Sequence, residues 1–323
     1  MLSRVAERMY WMGRYLERTE NTARLINVNA SLLLDLPRMV KHIWRAMIDI
    51  SDSNELFYAH FGKVDEKNVT RFLLSDESNP SSVISTMRIL RENLRTTREI
   101  MPSEGWELIN EFYLYVRQHT RHPLKRDAQY EFLNTIISYC QQMTGLMFGN
   151  MSHGSSYNFI RIGRNLERAD MTTRIVDVGC INLLRRKFKI PETYDNILWM
   201  NVLRSLSAYQ MYRQYVHDRV NGEDVVAFLM KDHEFPRSVA HCLSELCNCV
   251  TQLPKNDLPL RTITHVQRMI TDADVHKLYE SNLHEFIDKL QVDLAAIHEQ
   301  VNQSWIGYAP EAAQLPYQKS SRK

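Results

Sequence analysis

The sequence predicts an all-α fold, a duplicated helical bundle whose two halves are related by a pseudo-twofold, each opened by a helix carrying G-R-x-L-E-R. Three observations predict it. Only 10 Gly and 10 Pro occur in 323 residues, well under the average usage of about 7% and 5%, so the turn-formers that many short strands need are missing. Apolar residues recur at helical spacing and never in sustained alternation. The sequence also repeats itself at an offset of about half its length.

The first helix is expected from Ser3 to about Leu36, with Met9, Met12, Leu16, Ala23 and Ile26 on one flank and Pro37 as its stop. Further helices are expected at about Arg38–Ile50, Pro80–Met101, Ser103–Arg121, Leu124–Asn150, Ser155–Lys189, Asn196–Asp218, Pro236–Gln252 and Asp274–Ser304. Pro, Gly, Asn and Asp clusters separate most of them, and short helical turns are expected in the gaps.

The repeat has four ordered anchors. Gly13-Arg14-Tyr15-Leu16-Glu17-Arg18 returns as Gly163-Arg164-Asn165-Leu166-Glu167-Arg168, a shift of 150. Trp44 and Ile48 match Trp199 and Leu203 at 155, and Phe72-Leu73-Leu74 with Pro80, Ser82 and Val83 matches Phe228-Leu229-Met230 with Pro236, Ser238 and Val239 at 156. Glu131-Phe132-Leu133 matches Glu285-Phe286-Ile287 at 154. The expected organisation is therefore a first half at 1–152, a second half at 153–306 packed with it as one unit, and a flexible tail at 307–323. Packing about a twofold would let the two opening helices meet.

Composition limits function more than it assigns it. Forty Lys plus Arg face 38 Asp plus Glu, a formal net charge of +2, too even a balance to identify an acidic partner, so nucleic acid is not expected. No window approaches 18 uninterrupted apolar residues, and charges fall within the first turns; neither a membrane span nor a signal peptide is expected. The odd five cysteines (Cys140, Cys180, Cys242, Cys247, Cys249) read as reduced thiols in a cytoplasmic protein.

The chemistry-bearing feature is the repeated helix. At about 100° per residue, Tyr10, Gly13, Arg14, Glu20, Asn21 and Arg24 all fall within about 60° of Glu17, while the apolar residues occupy the opposite flank and Arg18 the boundary. The second copy keeps Gly163, Arg164, Glu167, Asp170 and Arg174, with Ile160 and Met171 in place of Tyr10 and Asn21. Such a stripe reads two ways. Arg and Glu three or four apart pair routinely, and a buried Arg–Glu network can fix register without any ligand. Alternatively, arginines from the set Arg14, Arg24, Arg164 and Arg174 form a fork for a carboxylate or phosphate, with Glu17 or Glu167 orienting them or acting as acid or base. Candidate substrate-binding residues are accordingly Tyr10, Arg14, Glu17, Asn21, Arg24, Arg164, Glu167 and Arg174, with the first half expected to offer the more polar site.

Weaker signals point to plain structure. His241 with Cys242, Cys247 and Cys249 lacks a C-x-x-C pair and has helical spacing, so no metal is expected there. His60, His119 and His122 read as surface histidines, and Arg185-Arg186-Lys187-Phe188-Lys189 as cations at the negative end of a helix dipole. No P-loop, G-x-G-x-x-G or G-x-S-x-G string occurs, and no cofactor is expected.

The opening run Ser3-Arg4-Val5-Ala6-Glu7-Arg8-Met9-Tyr10-Trp11-Met12-Gly13-Arg14-Tyr15-Leu16-Glu17-Arg18, the second L-E-R helix and the all-helical length together resemble the bacterial alpha-E family, over nearly the whole chain. Glu17, Arg18, Glu167 and Arg168 carry its signature. The stretch before the second motif, Asn158-Phe159-Ile160-Arg161, departs from Met9-Tyr10-Trp11-Met12 before the first, so the two copies are not equivalent. The resemblance implies a gene typically beside, or fused to, a circularly permuted ATP-grasp protein and a transglutaminase-like peptidase. It thus implies an accessory role in forming or processing amide bonds of a peptide or amino-acid conjugate. The alternatives are a stand-alone enzyme using Glu17 or Glu167 as acid or base, and a purely structural helical adaptor.

Overall fold

The computed structural model describes residues 2–35, 40–122, 124–179 and 195–307, which are helical with no strand among them. Helix α1 runs from Ser3 to Asp35 over 33 residues, close to the expected bounds; its expected stop, Pro37, lies outside the described residues. Then come α2 (Val40–Ile50), α3 (Asn54–His60), α4 (Glu66–Leu74), α5 (Val83–Arg95), α6 (Ser103–His119) and α7 (Arg126–Asn150). After them come α8 (Ser155–Gly179), α9 (Asp195–Ser205), α10 (Tyr209–Tyr215), α11 (Gly222–Lys231), α12 (Val239–Thr251), α13 (Asp257–Asp272) and α14 (Leu283–Val301). A turn at Val275–Lys277 and a π-turn at Leu278–Asn282 lead into α14, and a second π-turn at Asn302–Ile306 follows it.

Several boundaries differ from the sequence reading, for physical reasons. The helix expected over Asn196–Asp218 is two, because Ser207 adopts φ 54° between them, a left-handed conformation no helix accepts. The one expected at Pro80–Met101 begins only at Val83, where the Ser82 side chain accepts the Ser85 amide; the one expected at Pro236 begins at Val239, capped by Ser238 onto His241. Helix α13 is absent from the sequence reading because Pro259 reads as a breaker, yet it sits in the first turn, where its missing N–H would have had no helical partner. Helices α4 and α11, also read as gaps, start at the polar caps Asp65 and Asn221. The Arg185–Lys189 cluster, Cys180 and all of the expected tail except Gly307 lie outside the described residues.

Helices α1 and α8 are the axis of the molecule. α1 packs on α8, α5 and α7, and α8 packs on α1, α12 and α14; α1 also touches α9, and α8 touches α2. Helices α6 and α13 close each side, α6 on α5 and α7, and α13 on α12 and α14. Trp44 of α2 and Trp199 of α9 are both buried, each anchoring its helix near the central pair. No described helix is long and apolar enough to cross a membrane.

What brings α1 and α8 together is glycine. A Cβ on Gly13 would collide with the Ile160 carbonyl oxygen and lie 3.0 Å from the Arg164 amide nitrogen; one on Gly163 would collide with the Tyr10 carbonyl oxygen and lie 3.2 Å from the Arg14 amide nitrogen. Backbone therefore touches backbone at the crossing, from both sides. The obstacle is main chain in the middle of a long helix, which has no side-chain rotamer to give way. Gly13→Ala and Gly163→Ala are each expected to cost about 1–3 kcal/mol or more of stability, whereas Gly145→Ala, at a position with open space around it, should be neutral or stabilising as an ordinary helix glycine replacement. Urea unfolding of the three variants checks this.

Candidate functional site

The charged stripe of each long helix faces the other helix across this crossing. Arg14 is fully buried, and Glu17 and Glu167 nearly so. Bare charge at such depth is prohibitive, so the arrangement must be paired. Two clusters do this, one around each glutamate.

Around Glu167, Arg14 Nε donates to Oε2 at 2.5 Å, while Arg18 donates from Nε to Oε1 at 2.6 Å and from Nη2 to Oε2 at 3.0 Å. Both carboxylate oxygens are thus held by guanidinium N–H groups, the fork geometry that suits arginine. Behind them Arg14 Nη1 donates to the Tyr10 hydroxyl at 3.0 Å, and that hydroxyl is hydrogen-bonded to His298 Nδ1 at 2.5 Å. The His298 ring stacks on Tyr10 and meets Trp11 edge-on. Burial, reinforced by the positive charge of Arg14, holds His298 down to about 3, so its ring is neutral.

Around Glu17 the arrangement is more crowded. Arg237 Nη1 donates to Glu17 Oε1 at 2.6 Å and to Asn21 Oδ1 at 2.7 Å, and Arg237 Nη2 donates to Glu20 Oε1 at 2.8 Å. The remaining oxygen, Oε2, lies 2.9 Å from Arg168 Nε and 3.4 Å from Arg164 Nε. Arg24 is turned onto its own helix, donating to Glu20 Oε1 at 2.7 Å. Arg174 likewise pairs with Asp170 at 3.1 Å, with Asp52 3.6 Å away.

These contacts give the two glutamates the same protonation state. Burial pushes each carboxyl up, but the guanidiniums override it: Arg168, Arg237 and Arg164 hold Glu17 at about 2, and Arg18 and Arg14 hold Glu167 at about 2. Both are fixed anions at neutral pH. An acid or base works best with a pKa near the working pH, so their environment suits a structural or orienting anion.

A family model described as a predicted alpha-helical domain with a conserved ER motif matches residues 1–306. The chain belongs to the Alpha-E family. In the structure two Glu-Arg pairs of the sequence, Glu17-Arg18 and Glu167-Arg168, meet reciprocally, the Glu of each with the Arg of the other: Glu17 with Arg168 and Glu167 with Arg18. Three relatives are 21% identical to this Alpha-E chain, an uncharacterized protein of Mycobacterium bovis and two uncharacterized proteins of Mycobacterium tuberculosis. Each match covers 91% of this chain and 35% of the relative, so the chain spans about a third of the length of the curated relatives it matches. No solved structure matches the chain.

Of the sequence-stripe candidates, the structure groups Tyr10, Arg14 and Glu167 in one cluster and Glu17, Asn21, Arg24 and Arg164 in the other, leaving Arg174 at the edge. Among the first-half residues expected to make the more polar site, Tyr10 is fully buried and its hydroxyl is occupied by Arg14 and His298. Solvent instead reaches Arg164, whose side chain is 26% exposed. Arg237 and His298 are absent from the sequence-based set. Arg237 left a trace: in the matched runs Pro80-Ser81-Ser82 and Pro236-Arg237-Ser238 it is the one position where a small residue became a cation. His298 left none, being one polar residue on a long amphipathic helix.

Two cavities lie away from the crossing. One of about 60 Å³ is mainly apolar, among Leu25, Leu32, Ile43, Ile175 and Leu198; the other, about 370 Å³, is lined by Ile100–Pro102 and the Asn150–Ser156 turn. The thiols of Cys242 and Cys249 are pushed up to about 12 by burial, which keeps them protonated. Asp177, His284 and Asp288 bring three potential metal-ligating side chains together, with His284 Nδ1 2.7 Å from Asp177.

Two pH dependences follow. Glu17 and Glu167 have folded pKa values below the unfolded one, so their contribution to stability is present above about pH 4.5 and lost as pH falls toward 2. Glu167→Gln leaves Arg14 and Arg18 uncompensated and is expected to cost about 3–5 kcal/mol, with the wild-type advantage shrinking across that acid range in urea titrations. For His284, burial opposes the charge, but Asp177 outweighs it and raises the pKa. That pair therefore stabilises fully below about pH 6.5 and fades as pH climbs through the raised value. NMR titration of the His284 ring, with Asp177→Asn returning it toward an ordinary histidine, checks the sign.

Proposed function

We propose that this Alpha-E chain is a non-catalytic helical accessory subunit acting with a circularly permuted ATP-grasp amide ligase, and with a transglutaminase-like peptidase as a second partner, in forming or processing amide bonds of a peptide or amino-acid conjugate. The observation that carries the non-catalytic part is the state of the two signature glutamates, buried and locked as anions by arginines from the opposite helix. A stand-alone enzyme with Glu17 or Glu167 as proton donor or acceptor would need one of them poised near neutrality. The partner part rests on the resemblance, and it is consistent with relatives in which the matched region is only 35% of the chain, the rest lying outside the match.

We read the two halves as products of a duplication packed about a pseudo-twofold. What supports this reading is the reciprocity of the contacts: Gly13 against Ile160 and Arg164 is answered by Gly163 against Tyr10 and Arg14, and each ER motif pairs with the other at the same shift of 150. In this reading the seam is the register device of the subunit, and its outer helices are free to present surface to the ligase.

The test is co-purification of the native chain with its genomic neighbours, followed by ATP consumption and amide formation by the ligase with and without it. The expected result is a stable complex, product formation that rises when the chain is added, and no turnover by the chain alone. Glu17→Gln and Arg24→Lys separate the seam from a reacting site: loss of ligase stimulation should track loss of folding. Turnover by the isolated chain, abolished by Glu17→Gln at unchanged melting temperature, would overturn the proposal.

A further inference from the structure

The two glutamate clusters have matched parts but unequal outcomes. Glu167 is chelated by Arg14 and Arg18 through three hydrogen bonds. The equivalent pair around Glu17, Arg164 and Arg168, stands one helical turn apart on α8 and meets that carboxylate at longer range. Their Nε atoms approach Glu17 Oε2 at 3.4 and 2.9 Å, yet both are buried and unsatisfied, the N–H directions being off the acceptor. Arg168 has a side chain only 10% exposed, so its guanidinium is not simply solvated.

Arg237 accounts for the difference. It is held by its own carbonyl, which accepts from Thr172 Oγ1 at 2.8 Å, and by its place directly before the Ser238 cap of α12. From there it takes Glu17 Oε1, Glu20 and Asn21. Four guanidiniums, Arg24, Arg164, Arg168 and Arg237, then surround two carboxylates, Glu17 and Glu20, which leaves two positive charges in excess. The hydrogen-bond shortage has the same sign: Asn21 Nδ2, Arg24 Nε, Arg164 Nε and Arg168 Nε are all buried donors without an acceptor. The cluster lacks an anion, and burial together with the positive charge of Arg168 lowers the pKa of Arg164 accordingly.

We propose that Arg164 and Arg168 form a receptor for a phosphate dianion, entering past the partly exposed Arg164 and completing the acceptor set that Arg237 has drawn away from them. Two neighbouring guanidinium forks match the oxygens of a tetrahedral phosphate, and its double charge equals the excess, which a single carboxylate does not. The site takes either free phosphate or the phosphoryl end of a substrate. This deepens the accessory reading and rests on it, by naming what the chain offers its ligase: a docked phosphoryl group.

The test is titration of the full chain with inorganic phosphate, phenyl phosphate and acetate at matched ionic strength, followed by 31P NMR and thermal shift. Saturable binding of phosphate with no response to acetate is expected, and phenyl phosphate binding more tightly than phosphate would identify a carried phosphoryl group as the source. Arg164→Gln should weaken phosphate at least about tenfold with only a modest change in melting temperature, because Arg164 is the most distant of the three guanidiniums on Glu17. Arg237→Ser is the sharper probe: it keeps both receptor arginines but frees Glu17 Oε1 to be chelated by them, so phosphate binding should be lost. A flat phosphate titration, equal response to acetate, or undiminished binding in Arg164→Gln would overturn the proposal. If phosphate fails while the chain still co-purifies with and stimulates the ligase, only this site falls; if the complex itself fails to form, the accessory reading falls whatever phosphate does.

Discussion

Everything distinctive in this structure depends on how closely α1 and α8 cross. A leucine or even an alanine at Gly13 or Gly163 would hold the two backbones apart, and the arginines and glutamates of each helix would then end in the gap. With main chain on main chain, residues one, four and five positions after each glycine reach the opposite helix, which is why Arg14 finds Glu167 and Arg168 finds Glu17. The glycine, the arginine and the E-R pair are one device: the glycine sets the distance and the charges read it. A slip of one residue would place guanidinium against backbone at this depth, a cost far above that of an exposed mispairing. The seam thus gives register rather than net stability, since an apolar contact of the same volume would hold the helices at least as firmly.

That distinction decides what the buried charges are for. Glu17 and Glu167 sit where desolvation alone would drive a carboxyl toward neutrality, and they are anionic because several guanidiniums surround each of them. Such a group moves protons poorly but positions cations well. The chemical potential of the crossing therefore lies in its arginines. The Glu167 side is held by arginines of the opposite helix alone, with Tyr10 and His298 packed behind Arg14. The Glu17 side is not, because a third arginine arrives from the α12 cap. Comparing the two clusters makes this visible, since each serves as the control for the other.

Much of this was legible in the sequence, and what was not has identifiable reasons. The long helices announce themselves through period and scarcity of breakers, and α1 is placed nearly to the residue. The E-R stripe is legible because both signs recur with their spacing. A helical wheel, however, shows only which side of one helix a residue occupies. It puts Arg18 at the stripe boundary, whereas the structure makes it the principal partner of Glu167, because its long side chain reaches across the contact between α1 and α8. It groups Arg24 with the expected fork, but a nearer acceptor on its own helix, Glu20, takes it. Helix α13 was hidden by Pro259, whose meaning reverses between the first turn of a helix and its middle. Arg237 and His298 belong to helices that are remote in sequence, and only the packing of α12 and α14 on the central pair delivers them.

The same logic explains why an accessory subunit would carry so much buried charge. A partner that docks on outer helices needs them at fixed positions, and those positions are inherited from α1 and α8, on which α5, α7, α12 and α14 pack. An apolar seam tolerates small rotations and slides, because dispersion is not directional; a set of forked ion pairs does not, because its hydrogen bonds fail within a few tenths of an ångström. Rigidity at the crossing is transmitted outward through close-packed side chains. On the proposed phosphate site that rigidity gains a condition: the Glu17 side would reach its full hydrogen-bond complement when an anion is bound. Because binding energy goes to the state in which those donors are satisfied, the geometry that fixes the bundle and the chemistry that would sense a phosphoryl group reside in the same few residues.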